Sequence, residues 1–311
     1  MEPTERSRRR KRKKNLRILF FFLIIFLLII FAAYKIFSID KTTNTLSPLA
    51  EGINVLNKVM ENPLQEIAEK TLFDPNITYG IVVKDLKTGE KYYYNSNKKF
   101  QTASLYKLWA MAAAFEKISN KELSENEVLS EKIEDLNTKF NIASEEAELT
   151  KGDITRTVKD AINKMIVISD NYSALLLVSR IRNASLTSFL KEYGFNNSEI
   201  GTPPQSTAGD ISMFYEKLYK GEIINKNYSK QMMEILKRQS LNDRIPKYLP
   251  EEISIAHKTG ELGGAKHDAG IVFAKNGDYI IVIMSDSSNP AQTAEKMARF
   301  SEDVYKYFDK K

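Results

Sequence analysis

The sequence predicts an α+β protein in which one antiparallel sheet, drawn from both ends of a globular region, is flanked by helices and joined to an all-α subdomain. Three observations carry that expectation. Alternating β-branched and aromatic segments occur near residue 80 and again beyond residue 253, the span from Ser104 to about Leu236 follows a helical period, and no Pro- or Ser-rich linker divides them.

The chain opens on a basic run. Met1 to Arg17 holds nine Lys and Arg residues against Glu2 and Glu5, which accounts for the whole formal charge of +6 and leaves the rest slightly acidic. No nucleic-acid partner is implied. Ile18 to Tyr34, ILFFFLIIFLLIIFAAY, carries no charge, and Ile36 and Phe37 extend it past Lys35. About twenty helical residues cover roughly 30 Å, the hydrocarbon thickness of a bilayer. Residues 18–37 are therefore expected to be a transmembrane signal anchor. Positive residues stay inside, so 1–17 is expected as a basic cytoplasmic tail, with the bulk of the chain outside the cell membrane. A cleaved secretory signal competes with this, because Ala32-Ala33 offers small residues, although the apolar run exceeds a usual signal core. A buried core helix beside nine cations fits poorly.

Residues 38–61 are expected as a stalk, polar and turn-rich through Gly52, with helical patterning from about Ile53 to Thr71; the globular domain is expected over 62–311. ITYGIVVKDLKTGEKYYYN reads as two strands around a tight turn in which Gly89 takes the positive φ. Helical stretches such as LYKLWAMAAAFEKI and DISMFYEKLYKG come next. ISIAHKTG, HDAGIVFA and DYIIVIMSD read as three strands, the last two joined at Asn276-Gly277, and a helix over about Ala291 to Phe308 ends the chain.

Several chemistries lack their residues. There is no cysteine, hence no thiolate or disulfide framework, and there is neither a G-x-S-x-G elbow nor a phosphate-binding glycine loop. With two histidines, His257 and His267, a zinc site is not expected; His257 precedes Lys258 in an alternating strand and should face away from it. What remains is a serine and lysine site. Ser104-Leu105-Tyr106-Lys107 opens a helical stretch, putting the lysine one turn from the serine on the same face. A neutral amine there can take the hydroxyl proton. Neutrality needs a fall from about 10.4 to about 7, or roughly 4.6 kcal/mol, which burial and a second cation can supply.

S-x-x-K alone is weak, since Ser96 to Lys99 and Ser188 to Lys191 match it, and KTGE occurs twice, at Lys87 and Lys258. Order and context select one set: Ser104/Lys107 at a helix start, Ser169/Asn171 beside a helix, and Lys258/Thr259/Gly260 on a late strand. With the flanks FQTASLYKLWAMAAAFEKI, ISDNYSALLL and HDAGIVFAKNG, this set resembles the penicillin-recognising serine hydrolases, and within them the class A β-lactamases. The likeness runs from about Asn62 to the C-terminus and implies the β-lactamase/DD-peptidase-like fold. It implies Ser104 as the acylated nucleophile and Lys107 as its base. Ser169 would pass a proton toward the leaving nitrogen, and Asn171 would bond the substrate's amide side chain. Lys258, with Thr259, would hold the substrate carboxylate, and the N–H groups of Ser104 and Glu261 would form the oxyanion hole beside Gly260.

The family's E-x-x-L-N loop, whose glutamate activates water for deacylation, is missing. Glu199 is the nearest substitute, either as a base or as a solvated loop residue. Glu261 stands where small or neutral residues are usual, and Lys266 either compensates its charge or is solvated at a strand edge. The resemblance thus implies an enzyme acylated by β-lactams or by D-Ala-D-Ala-type peptidoglycan stem peptides, without metal or cofactor, and the anchor pattern implies an extracytoplasmic domain. Efficient β-lactam hydrolysis is the alternative within that class, and a non-catalytic cell-wall-ligand-binding domain is the alternative outside it.

Overall fold

The computed structural model describes residues 62–311; the expected tail, transmembrane anchor and stalk lie outside the described residues. Among the described residues no helix is long and apolar enough to cross a membrane. In chain order the elements are α1 (Pro63–Thr71), β1 (Ile77–Asp85), β2 (Lys91–Tyr94), β3 (Lys99–Gln101), a 3-10 turn (Ala103–Tyr106), α2 (Lys107–Ser119), β4 (Val128–Lys132) and α3 (Ile133–Lys139). They continue with β5 (Asp153–Thr157), α4 (Val158–Val167), α5 (Asn171–Ile181), α6 (Asn183–Glu192), β6 (Gln205–Thr207), α7 (Ala208–Lys220) and α8 (Lys226–Leu236). β7 (Ser254–Leu262), β8 (Ala265–Phe273), β9 (Tyr279–Ser287) and α9 (Pro290–Asp309) complete the chain.

The main sheet has the order β2-β1-β9-β8-β7, and the pairs are antiparallel. β1 meets β9 along its whole length, from Ile77 opposite Ser287 to Asp85 opposite Tyr279, so the two ends of the domain are joined as the sequence suggests. Successive side chains of a strand point to opposite faces, and here both faces are apolar. Ile81, Val83, Ile281 and Ile283 join Leu64, Phe300 and Val304 under α1 and α9. Val82, Ile280, Val282 and Met284 face the other way, toward Trp109 and Phe214 of the helical side. The two flanking helices start on matching signals: Asn62 accepts from the Leu64 N–H ahead of Pro63, and Asn289 accepts from the Gln292 N–H ahead of Pro290.

In the turn between β1 and β2, Asp85 Oδ1 accepts the N–H groups of Lys87 at 2.7 Å and Thr88 at 2.9 Å, and Gly89 takes φ +79°. The first KTGE is thus a hairpin turn. α2 is the axis of the helical side. Every residue from Lys107 to Phe115 is buried, and its alanines let α4, α5 and α6 pack closely around it. Two small ribbons escape the sequence reading, β3 with β6 and β4 with β5. Their strands are three to five residues long and include LSEK and DITRT, too short and too polar to show a period against helical surroundings. The β3 ribbon positions the site, because it delivers the chain to Ser104.

Candidate active site

Three segments far apart in sequence meet between the edge strand β7 and the start of α2. In the first, Ala103 adopts φ +44° and swings the chain from β3 into the 3-10 turn that holds Ser104, half-buried. The expectation that Ser104 opens an α-helix is corrected here: the α-helix begins at Lys107, one tight turn later. In the second, Ser169 sits between α4 and α5 at φ +58°, a conformation uncommon for a residue with a side chain. Asp170 then caps α5 by accepting from the Ser173 N–H at 2.6 Å, which sets Asn171 as the first helical residue. The third segment is β7 itself, with Lys258 near its middle.

Lys107 and Lys258 are both fully buried. Lys107 Nζ donates to the Ser169 carbonyl at 2.6 Å and to Asn171 Oδ1 at 2.6 Å, and lies 3.3 Å from Ser169 Oγ. Lys258 Nζ donates to Ser169 Oγ at 2.9 Å and to the Thr259 carbonyl at 2.8 Å. The two amines therefore converge on one hydroxyl. Burial pulls Lys107 down to about 8, against the opposing pull of the Asp170 and Glu148 carboxylates. Burial also holds Lys258 well below the ordinary lysine value; the Lys107 and Arg244 charges reinforce this and Asp268 opposes it. Two ammonium groups around one serine oxygen repel, so the pair titrates as a unit and favours a single positive charge. An amine of this kind can accept a hydroxyl proton near neutral pH.

The Lys107 bonds go to Ser169 and Asn171, and none goes to Ser104. Ser104 is brought near by the chain turn and by the close approach of β7. A side chain at Gly260 would lie 2.9 Å from the Thr102 carbonyl and 3.3 Å from Leu105, so only glycine lets the strand lie against the serine's turn. Glu261 follows Gly260 on β7, directly opposite Lys266 on β8.

Lys266 corrects the solvated reading of that residue. It is buried, with Nζ 2.5 Å from Glu261 Oε2 and 3.6 Å from Asp243 Oδ2. Arg244, also buried, donates from Nη2 to the same Glu261 oxygen at 2.6 Å. Burial works against ionisation of Glu261, but Lys266 and Arg244 outweigh it and hold the carboxyl below its usual range. Arg244 escaped sequence reasoning because QSLNDRIPKY carries no motif; its Nε and Nη1 have no hydrogen-bond partner among the described residues.

The histidines lie outside the cluster. His257 Nδ1 is 2.9 Å from Asp268 Oδ1 and its Nε2 is 3.2 Å from Asn242 Oδ1, away from Lys258 as the strand alternation implies. His267 accepts from the Ser285 N–H through Nδ1 and donates to the Gln101 carbonyl through Nε2; burial pushes it down to about 4. Glu199 pairs with Lys99 at 3.3 Å, about half exposed, and makes no bond to Lys107, Ser169 or Lys258. Residues 193–204, which link α6 to β6, are short turns with no helix or strand. A cleft of about 810 Å³ opens beside the cluster, with Tyr106 and Asn171 on one wall and the Leu262 to Ala265 hairpin on another.

This fold has counterparts among known proteins. The structure resembles PBP-A with a TM-score of 0.71 and 24% identity over 81% of this chain and 97% of that one. A point mutant of PBP-A, equally similar, is known as an acyl-enzyme complex with penicillin G. A β-lactamase from Sphaerobacter thermophilus matches with a TM-score of 0.68 and 18% identity over 79% of this chain and 97% of its own. Among sequences, the β-lactamase SME-1 of Serratia marcescens is 25% identical over 234 residues, 68% of this chain and 75% of its own length. The β-lactamase PSE-1 of Pseudomonas aeruginosa is 24% identical over 236 residues, 70% and 79% of the two chains.

The domain thus has the α+β fold of β-lactamases and penicillin-binding proteins. A family model described as the β-lactamase enzyme family matches residues 60–308, and the chain belongs to that family: it is a serine hydrolase of the β-lactamase type.

Proposed function

We propose that this protein is a membrane-anchored, extracytoplasmic serine acyl-transfer enzyme, acylated at Ser104 by β-lactams or by D-Ala-D-Ala-type peptides of the cell wall. The observation that carries the reading is the meeting of two buried lysines on Ser169 Oγ, at 3.3 Å and 2.9 Å, beside the turn that holds Ser104. The anchor at 18–37 and the localisation rest on the charge and length pattern alone.

In this reading the neutral Lys107 amine takes the Ser104 proton as Oγ attacks the substrate carbonyl. The oxyanion is held by the N–H groups of Ser104 and Glu261. The C–N bond then breaks, and the leaving nitrogen receives a proton through Ser169, which Lys107 recharges. Lys258 sets a positive potential at that hydroxyl and, with Thr259, meets the substrate carboxylate. Water finally hydrolyses the Ser104 ester. The one carboxylate between residues 193 and 204, Glu199, is engaged with Lys99, so turnover of a β-lactam acyl-enzyme is expected to be slow.

A labelled penicillin, with the chain then run on denaturing electrophoresis, tests this. Persistent label is expected on the wild-type chain and no label on Ser104→Ala. Label that decays within seconds would replace the proposal with an efficient β-lactamase, and an unlabelled wild-type chain would leave only a ligand-binding domain.

A further inference from the structure

The loop between α3 and β5 carries no motif, yet it brings a carboxylate to the cluster. Glu148 Oε1 accepts from Asn171 Nδ2 at 2.5 Å, while Asn171 Oδ1 accepts from Lys107 Nζ at 2.6 Å. An ionised carboxylate offers only acceptors, so the amide nitrogen must face Glu148 and the amide oxygen must face the lysine. The orientation of Asn171 is thereby settled from outside.

The loop itself is fastened at the neighbouring residue. The Tyr172 hydroxyl donates to the Leu149 carbonyl at 2.6 Å and accepts the Leu149 N–H at 3.2 Å, and Asn137 Nδ2 donates to the same carbonyl at 2.8 Å. Tyr172 and Asn137 are buried, 4% and 9% exposed, so these bonds are partly shielded from water although Leu149 itself is exposed. Leu149 follows Glu148 as Tyr172 follows Asn171, and the two backbone segments are therefore held side by side. An exposed glutamate on a free loop would sample many positions; this one is indexed to Asn171.

We propose that Glu148 is a positioning residue of the active site, clamping the Asn171 amide against Lys107 and setting the pH at which that lysine gives up its charge. The catalytic consequence rests on the proposed function; the geometry does not. The charged groups acting on Lys107 are Glu148 from this loop, Asp170 from the start of α5, and Lys258 from β7. The two carboxylates favour the ammonium and Lys258 disfavours it, which makes Glu148 a brake on the loss of the proton.

The test uses the full chain with lysines labelled at 13Cε, the Lys107 resonance being identified by its loss in Lys107→Arg. In Glu148→Gln the side chain can still accept from Asn171 but carries no charge. The Lys107 titration midpoint is expected to fall by about half a pH unit or more, the scale for removing a unit charge one residue away under partial screening. The acid limb of penicillin labelling should move down with it. Glu148→Ala loses the bond as well, and its maximal labelling rate should drop about tenfold, within the range set by misplacing a catalytic group. A Lys107 midpoint unchanged in both variants would overturn the proposal. Because that titration needs no substrate, it judges Glu148 even if the wild-type chain takes no label.

Discussion

Lys258 and Lys266 lie on adjacent strands of one hairpin, both buried, and the structure treats them oppositely. Lys266 is met by a carboxylate, Glu261, and forms an ion pair. Lys258 is met by a serine hydroxyl and a backbone carbonyl, neutral oxygens that accept a hydrogen bond without balancing a charge. Burial, with Lys107 and Arg244 nearby, therefore drives Lys258 far below the ordinary lysine range. A lysine buried without a counter-ion becomes a group that can exchange protons at physiological pH. Besides the deeper burial of Lys258, the difference lies in the partners the two amines meet, Ser169 for one and Glu261 for the other.

The sharpest way to break this comparison is to remove the second uncompensated amine. Lys107→Ala is expected to lower the rate of penicillin acylation by about 10²–10⁴-fold, the usual worth of a positioned general base, measured by stopped flow. The same substitution should change how stability responds to pH. Lys107 stands near 8 in the fold against an ordinary 10.5. Between those values the unfolded chain binds the extra proton, so stability rises with pH across that window, by on the order of 3 kcal/mol before coupling to Lys258. Melting temperatures recorded from pH 7 to 10 should climb less in the variant. Wild-type acylation rates in Lys107→Ala would remove Lys107 from the chemistry.

How far this contrast was legible in the sequence depends on whether its signal is local. The β1 and β2 hairpin, the three late strands and the last helix were readable because period and turn chemistry act over a few residues. The set Ser104, Lys107, Ser169, Asn171 and Lys258 was readable because motif order and flanks match a known family. The tertiary pairings were not. Nothing in the residues around Arg244 says that its guanidinium reaches Glu261, seventeen positions on. Nothing around Glu148 says that Tyr172 fastens its loop. The sequence allows Lys266 either in solvent or as a compensating cation, and only the register of β7 with β8, which sets it opposite Glu261, decides between them. The 3-10 turn at Ser104 was hidden because Ala103, an ordinary helix former, adopts a positive φ there.

A pH profile sharpens the comparison with an effect of about tenfold per unit. If the neutral amine of Lys107 is the base, acylation should rise with pH and level off near 8, since the protonated form below that value cannot accept the Ser104 proton. His267, held down at about 4, contributes no limb between pH 5 and 8. A limb near 6.5, the ordinary histidine value, would point instead to a histidine base.

The smallest effect comes from the compensated side. Glu261 is held below its usual range by Lys266 and Arg244, so its ion pairs add stability above about 4.3 and lose it as pH falls through the lower folded value. Glu261→Gln should therefore melt about 1–3 °C lower at pH 7, a modest change because the carboxylate side chain is 54% exposed and screened. The gap should close as pH drops below about 4. The variant also leaves Lys266 and Arg244 with only the longer Asp243 contacts, at 3.6 Å and 3.5 Å. An anionic penicillin should then acylate roughly twofold to fivefold faster, a gain that fades with salt. If Glu261→Gln instead acylates more slowly at every ionic strength, Glu261 does more than balance charge, and the contrast between the hairpin's two lysines fails.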